Sequence, residues 1–134
     1  SLGAKLKTVE DLMITGKKIP FINEDSSMKK ALSLITKKKL GILIAINKKK
    51  LTTGIITDGQ IRRSTQKNNS LISLSVKKVM TKNPISVDKD MLAVKSLSIM
   101  SEKKITSLCV HKKNKIKKTI GVLHIHYLLD GNIS

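Results

Sequence analysis

The chain of 134 residues carries 27 Lys and Arg against 9 Asp and Glu, which gives a formal net charge of +18, and 40% of its residues are hydrophobic. That length suits one compact domain or two small motifs that share a core. The longest apolar run, residues 42–46, is much shorter than the roughly 20 residues of a membrane-spanning helix, and the single cysteine excludes an internal disulfide and a cysteine-based zinc site. We therefore expect a cytoplasmic protein with no membrane partner.

The excess of positive charge raises the question of a nucleic-acid partner. All but two of the basic residues are lysines, the exceptions being Arg62 and Arg63, and the aromatic residues are limited to Phe21 and Tyr127. Proteins that read bases or bind single strands use arginine forks and aromatic stacking platforms. We therefore rank a basic nucleic-acid-binding domain as the weakest function class, expect no nucleic-acid partner, and interpret most lysines as solvated.

The chain contains an internal repeat. Residues 10–13 resemble residues 77–80, and residues 54–56 resemble residues 121–123, in both cases 67 positions apart. Self-similarity at a constant offset indicates two copies of one supersecondary unit. One copy buries too little apolar area to be stable alone, so we expect the two copies to pack together.

Both copies have the same order of predicted elements. The order is a short helix that ends at Met13 or Met80, an extended piece (20–22 or 84–87), a longer helix, a buried strand (42–46 or 107–110), a lysine-rich turn (47–50 or 112–118), a second strand (51–57 or 116–123) and a closing helix (59–66 or 125–129). Each copy is thus β-α-β-β-α after its short opening helix.

The two longer helices are predicted from caps and apolar periodicity. Ser26 or Ser27 can cap the first, and Asp88 or Asp90 can cap the second. Apolar residues at helical spacing predict the buried face of each helix. These residues are Met28, Ala31, Leu32 and Ile35 in the first helix, and Leu92, Val94, Leu97, Ile99 and Met100 in the second.

The repeat resembles a tandem pair of CBS domains over residues 9 to 131. The resemblance rests on GIITDGQIRR (54–63), GVLHIHYLL (121–129), ITSLCV (105–110) and the two helices that end at Met13 and Met80. It implies an α+β fold in which two β-α-β-β-α motifs pack with pseudo-twofold symmetry. It also implies a regulatory module that binds adenosyl nucleotides or related anions, with no catalytic residues and no required cofactor.

A narrower resemblance is to arabinose-5-phosphate isomerases of the KpsF/GutQ type, in which a sugar-isomerase (SIS) domain precedes a CBS pair. LGAKL (2–6) and VEDLMITGKKIP (9–20) extend the match in the order of that family. The implied organisation is a linker remnant (1–8) after a missing upstream SIS domain, CBS motif 1 (9–67), a linker (68–75) and CBS motif 2 (76–134). The fragment itself is then not an enzyme. The parent enzyme would interconvert arabinose 5-phosphate and ribulose 5-phosphate for Kdo, and thus for lipopolysaccharide or capsule.

The turn at residues 54–60 is the most informative candidate site. Thr57 and Asp58 stand where a helix begins, and the free N–H groups of a helix N-terminus favour anions. Arg62 and Arg63 can add bidentate, charge-assisted contacts to phosphate or carboxylate. The structural alternative is an ordinary N-cap followed by a solvated arginine pair.

Both repeats depart from the family pattern at one position. Adenosyl-binding CBS motifs resemble T-x-x-D, in which the acid binds both ribose hydroxyls. This chain has Gln60 at the position of the acid in the first repeat, and the second repeat has His124 and Tyr127 at the two positions of the motif. An amide lacks the charge of a carboxylate. We therefore favour an anionic nucleotide or nucleotide-sugar over AMP or ATP, and CMP-Kdo, the product of the implied pathway, as the preferred effector.

Further candidate ligand-binding residues stand at segment ends, each with a structural alternative. They are Thr15 and Gly16, where Gly16 can also be a helix C-cap, and Thr81, Thr106, Ser107, His124 and His126. The two histidines lie two residues apart without a nearby carboxylate or thiol, so we expect no metal site. We interpret Cys109 as a small, buried hydrophobic residue.

A second function class remains open beside effector binding. CBS pairs commonly associate, so the resemblance implies a homodimer or tetramer. A purely structural or oligomerising module that binds no ligand would fit the loss of both ribose-binding acids.

Overall fold

The computed structural model describes residues 2–67 and 70–133. Within them the chain forms seven α-helices, seven β-strands and two 3₁₀ turns, Gly16–Lys18 and Leu71–Ser73. The helices are α1 Leu2–Lys5, α2 Val9–Leu12, α3 Met28–Lys38, α4 Asp58–Lys67, α5 Val76–Val79, α6 Ala93–Lys103 and α7 Ile125–Asp130. The strands are β1 Phe21–Asn23, β2 Ile42–Ile46, β3 Thr52–Thr57, β4 Thr81–Lys82, β5 Ser86–Asp88, β6 Ser107–His111 and β7 Gly121–His124.

These elements form two compact units. Unit 1 comprises residues 1–19 and 85–134, and unit 2 comprises residues 20–84. Each unit combines helices with a sheet that has parallel and antiparallel pairs, so the predicted α+β class and the β-α-β-β-α order are confirmed. No helix in the described part of the chain is long and apolar enough to cross a bilayer.

Unit 2 is built on a sheet with the order β1-β2-β3-β4. The first pair is parallel and the other two pairs are antiparallel. Ser27 is the N-cap of helix α3, as predicted, and its hydroxyl accepts from the Lys30 N–H at 3.1 Å. The core of unit 2 consists of Ile22, Met28, Ala31, Ile35, Leu43, Ala45, Ile56, Leu71, Val76 and Met80.

Unit 1 repeats the plan with the order β5-β6-β7. Here the segment after α2 contributes a single bridge, between Ile14 and Val122, in place of a fourth strand. The buried thiol of Cys109 has a pKa raised to about 12 by desolvation, which fits the expected small buried hydrophobe. The core of unit 1 consists of Ala4, Val9, Val87, Ala93, Met100, Leu108, Val110, Leu123, Leu128 and Ile133.

The two sequence repeats exchange their opening segments. Thr81, from the start of the second repeat, pairs with Ile55 of the first repeat in unit 2. Ile14, from the start of the first repeat, pairs with Val122 of the second repeat in unit 1. Thr81 follows Ile14 by 67 residues, and Val122 follows Ile55 by the same number, so the exchange is reciprocal. Each compact unit therefore contains parts of both repeats.

Three sequence predictions differ from the structure in unit 1. Helix α6 has Leu92 as its N-cap without a side-chain bond, because the Asp88 carboxylate instead accepts from the Asp90 N–H within the preceding turn. Leu92 and Val94, predicted on the buried face, are exposed, and that face is formed by Ala93, Ser96 and Met100. The strand predicted from residue 116 begins only at Gly121, because residues 112–118 close two successive turns and leave Ile116 62% exposed.

The segment predicted as a polar linker, residues 68–75, is polar and exposed only in part. Asn68 and Asn69 lie outside the described residues. Leu71, in the 3₁₀ turn that follows, is buried in the core of unit 2, and the Leu74 carbonyl accepts from the Met28 N–H at 2.8 Å. This stretch is thus part of the exchanged segment that completes unit 2.

Two glycines make the exchange sterically feasible. A Cβ on Gly54 would lie 2.6 Å from the Met80 sulfur and 2.7 Å from the Thr81 carbonyl oxygen. Gly121 meets Met13 and Ile14 in the same way in unit 1. The close neighbour that Gly54 admits is therefore the exchanged segment of the other repeat.

We expect Gly54→Ala to destabilise the protein by about 1–3 kcal/mol, because the added methyl overlaps Met80 and a backbone carbonyl that cannot turn aside. The measurement is the free energy of unfolding in urea. Gly59→Ala is the matched control, since its Cβ would meet only the flexible end of Arg63 at 3.2 Å and alanine favours helix. Equal stability of Gly54→Ala and the wild type would contradict the steric account.

Candidate functional site

The predicted turn of unit 2 is an N-capped helix start. The Thr57 hydroxyl accepts from the Gln60 N–H at 3.2 Å, and the Asp58 N–H donates to the Gly41 carbonyl at 3.0 Å. The structural alternative for Thr57 is therefore realised. Because a hydroxyl that accepts one bond keeps its own hydrogen, Thr57 can still donate to an anion.

The arginine pair lies one turn further along α4. Arg62 and Arg63 are both exposed, and neither forms an ion pair in the part of the chain that the structure describes. The Arg63 guanidinium lies close over Gly59, in the first turn of the helix. Two unpaired guanidinium groups beside a helix N-terminus form a cationic surface that can receive phosphate or carboxylate.

The Gln60 side chain points into unit 2. Its amide nitrogen donates to the Val79 carbonyl at the end of α5, while its amide oxygen is buried without a partner among the described residues. The amide donor is thus used within the protein. Sequence reasoning missed Val79 as the partner, because it belongs to the other repeat, 19 residues away.

The equivalent turn of unit 1 is capped by a histidine. His124 Nδ1 accepts from the His126 N–H at 3.1 Å, and the two imidazoles stack with centroids 4.7 Å apart. The Thr106 carbonyl accepts from the Ile125 N–H at 2.9 Å, as Gly41 does for Asp58 in unit 2. Burial, and secondarily the neighbouring His126, lowers the pKa of His124 below its ordinary value of 6.5. The neutral ring that the cap requires is therefore the favoured form.

The structure divides the predicted site residues differently from the repeats. Unit 2 holds Thr57, Asp58, Gln60, Arg62, Arg63 and Thr81, whereas unit 1 holds Thr15, Gly16, Thr106, Ser107, His124 and His126. Thr15 and Gly16 are thus in one unit with the histidines of the second repeat, not with Thr57 of their own repeat.

The remaining candidate ligand-binding residues differ in solvent exposure. Thr15, Thr81 and Thr106 are exposed. Gly16 has a left-handed backbone with φ +61° and begins a 3₁₀ turn, so it is not the C-cap of α2, which is Met13. Ser107 pairs with His124 across β6 and β7, and its hydroxyl is buried without a partner among the described residues. Residues 2–67 and 70–133 contain no group of three or more His, Cys, Asp or Glu that could hold a metal ion.

The cap at His124 predicts a pH dependence of stability. Between the lowered pKa and 6.5 the unfolded chain binds more protons at this site than the folded chain, so stability falls as the pH decreases through that window. We expect His124→Asn, which caps without titrating, to lose less stability from pH 7 to 5 than the wild type. Urea unfolding at both pH values measures this difference. His126→Asn is the control, since it keeps the His124 ring and the backbone N–H that bonds to it and removes only the weaker cause of the lowered pKa, so most of the pH-dependent loss should remain. A loss in His124→Asn as large as that of the wild type would disprove the cap's role.

Comparison with known sequences finds relatives among sugar-phosphate isomerases. The chain is 36% identical to the arabinose 5-phosphate isomerase KdsD of Salmonella typhi and to that of Escherichia coli K12, over 99% of this chain and 40% of each relative. It is 34% identical to the uncharacterized protein RP505 of Rickettsia prowazekii, again over 40% of that protein. The chain thus spans about two fifths of the length of these relatives.

Comparison with solved structures supports the fold. CBSX2 in complex with AMP has a TM-score of 0.81 at 22% identity, covering 93% of this chain and 95% of that one. The CBS-domain protein ATU1752 of Agrobacterium tumefaciens has a TM-score of 0.85 at 17% identity, covering 96% and 95%. The sequence profile of the CBS domain matches residues 9–66 and again residues 76–132. Because these two matches cover most of the chain, the chain belongs to the CBS domain family and carries two consecutive copies of that regulatory domain.

Proposed function

We propose that the chain is the regulatory CBS pair of an isomerase that interconverts arabinose 5-phosphate and ribulose 5-phosphate, and that it binds an anionic nucleotide or nucleotide-sugar effector. The observation that carries the binding proposal is the capped start of α4, where Thr57 keeps a free hydroxyl hydrogen and Arg62 and Arg63 are exposed, with no ion pair to either within residues 2–67 and 70–133. Such a surface is suited to a phosphate or carboxylate.

The isomerase part of the proposal rests on the relatives. The similarity to KdsD extends over 99% of this chain and only 40% of that enzyme. We propose that the chain works beside an upstream SIS domain, in a cytoplasmic homodimer or tetramer, in a pathway that feeds Kdo into lipopolysaccharide or capsule. AMP in the complex of CBSX2, which shares this fold, supports a nucleotide as the class of effector.

The residue at position 60 argues against the family's usual adenosine mode, and the arginine pair favours CMP-Kdo as the effector. The Gln60 amide nitrogen is already bonded to the Val79 carbonyl, and the equivalent position in unit 1 is Tyr127. Neither side chain supplies the carboxylate that the family uses for the ribose hydroxyls. CMP-Kdo carries both a phosphodiester and a carboxylate, and the exposed guanidinium groups of Arg62 and Arg63 offer two charged partners for these two anionic groups.

The same contact favours one alternative function. If Gln60 serves only to hold α5, and Thr57 only to cap α4, the CBS pair is a structural or oligomerising module without a ligand. The two functions differ in one measurable respect, because only the first gives ligand-dependent stabilisation.

We expect isothermal titration calorimetry to detect binding of CMP-Kdo to the chain, with AMP and ATP binding at least tenfold more weakly. Cytidine monophosphate alone is the matched ligand, since it lacks the Kdo carboxylate, and should lie between them. Tight AMP or ATP binding without CMP-Kdo binding would reject the proposed effector. No binding of any of these ligands would favour the structural module.

We expect the double variant Arg62→Gln/Arg63→Gln to weaken CMP-Kdo binding by about tenfold or more, because each charge-assisted bond to a charged group contributes about 1.5–3 kcal/mol. The matched control is Lys29→Gln/Lys30→Gln, which removes two exposed charges from α3 of the same unit. The control should lose little affinity. Equal losses in both variants would show that only the overall charge matters.

A further inference from the structure

Gln60 is bonded to two parts of unit 2 that come from different repeats. Its backbone N–H donates to Thr57 at the start of α4, and its side-chain nitrogen donates to the Val79 carbonyl. Val79 ends α5, and the last carbonyls of a helix have no partner within the helix. The Gln60 amide therefore connects the candidate effector turn to the exchanged segment that contains α5 and β4.

The chemistry of this contact requires a donor at position 60. A backbone carbonyl only accepts hydrogen bonds, so the amide must face it with its nitrogen and not its oxygen. A carboxylate at the same place would put two acceptors against each other. This requirement gives a physical reason for an amide where the family pattern has an acid.

Unit 1 lacks the equivalent connection. The position 67 residues after Gln60 is Tyr127, which is 41% exposed and has no side-chain hydrogen bond among the described residues. The two helices close with the same backbone bond: the Met80 N–H donates to the Val76 carbonyl at 2.8 Å in α5, and the Met13 N–H donates to the Val9 carbonyl at 2.9 Å in α2. The exchanged segment of unit 2 therefore has a side-chain bond from the closing helix α4 that is not found from α7 among the described residues of unit 1. The segments also differ elsewhere: the Thr53 hydroxyl lies 3.8 Å from the Met80 sulfur in unit 2, and the Asp11 carboxylate accepts from the Thr8 N–H at 2.8 Å in unit 1.

We propose that Gln60 is a positioning residue that ties the first turn of α4 to the exchanged segment of unit 2 and links effector binding at that turn to the stability of the segment. The link to an effector rests on the proposed function, whereas the tie itself does not. Because no such tie is found among the described residues of unit 1, we expect effector binding to act on the exchanged segment of unit 2.

Amide hydrogen exchange of the whole chain, followed by NMR, tests the tie without any ligand. Gln60→Met keeps the length of the side chain and removes the donor, and Gln60→Glu keeps the shape and leaves only acceptors at neutral pH. We expect both variants to speed exchange of the Met80 amide by about two- to tenfold, the effect of losing one hydrogen bond. The Met13 amide, the internal control, should keep its rate. Unchanged Met80 exchange, or equal acceleration at Met13 and Met80, would overturn the tie.

The same measurement with CMP-Kdo as the probe tests the link. In the wild type, saturating CMP-Kdo should slow Met80 exchange more than Met13 exchange, and in Gln60→Met this difference should disappear. A difference that persists in Gln60→Met would overturn the role of Gln60 in the link. If the wild type does not bind CMP-Kdo, the proposed effector fails, while the ligand-free comparison of Met80 with Met13 still decides whether the tie exists.

Discussion

The structure depends on a reciprocal backbone pairing between the opening segment of each repeat and the third strand of the other. In unit 2 this is the pairing of β4 with β3, and in unit 1 it is the bridge between Ile14 and Val122. The pairing satisfies backbone groups that would otherwise be left open at the edge of each sheet. It also brings Met80 and Met13 against backbone that has no side chain, at Gly54 and Gly121.

The exchange determines which candidate residues share a unit. Thr57 and the two arginines lie with Thr81, and the histidines lie with Thr15 and Gly16. It also places the Val79 carbonyl beside Gln60, so an amide from one repeat meets a helix end from the other. The candidate effector turn is consequently connected to both repeats even though its own residues come from one.

Local patterns predicted much of this fold. The repeat at 67 residues, the Ser27 cap and the strands at Ile42 and Ser107 follow from side-chain periodicity and turn chemistry, which act within a few residues. The resemblance to the CBS family added the fold class and the regulatory role, which no periodicity could supply.

The sequence predictions that were wrong in unit 1 have identifiable physical causes. Leu92 and Val94 are apolar, but the register of α6 is decided by its packing, which turns Ala93 and Ser96 inward. Ile116 looked like the start of a strand, yet it lies in a turn closed by the Lys118 N–H and the Lys115 carbonyl.

Sequence patterns predicted only those features of the candidate site that lie within a single turn of the chain. Capping by Thr57 is a local effect within three residues, whereas the partner of Gln60 lies 19 residues away across the exchange. A single sequence has no signal for which of two similar third strands an opening segment joins, because both offer a glycine followed by two branched apolar residues.

Nuclear Overhauser effects between backbone protons test the exchange most directly. The account predicts cross-strand contacts between Ile55 and Thr81 and between Ile14 and Val122. If each opening segment instead stayed with its own repeat, contacts would join Ile14 to Ile55 and Thr81 to Val122. Observation of that second set in place of the first would contradict the account.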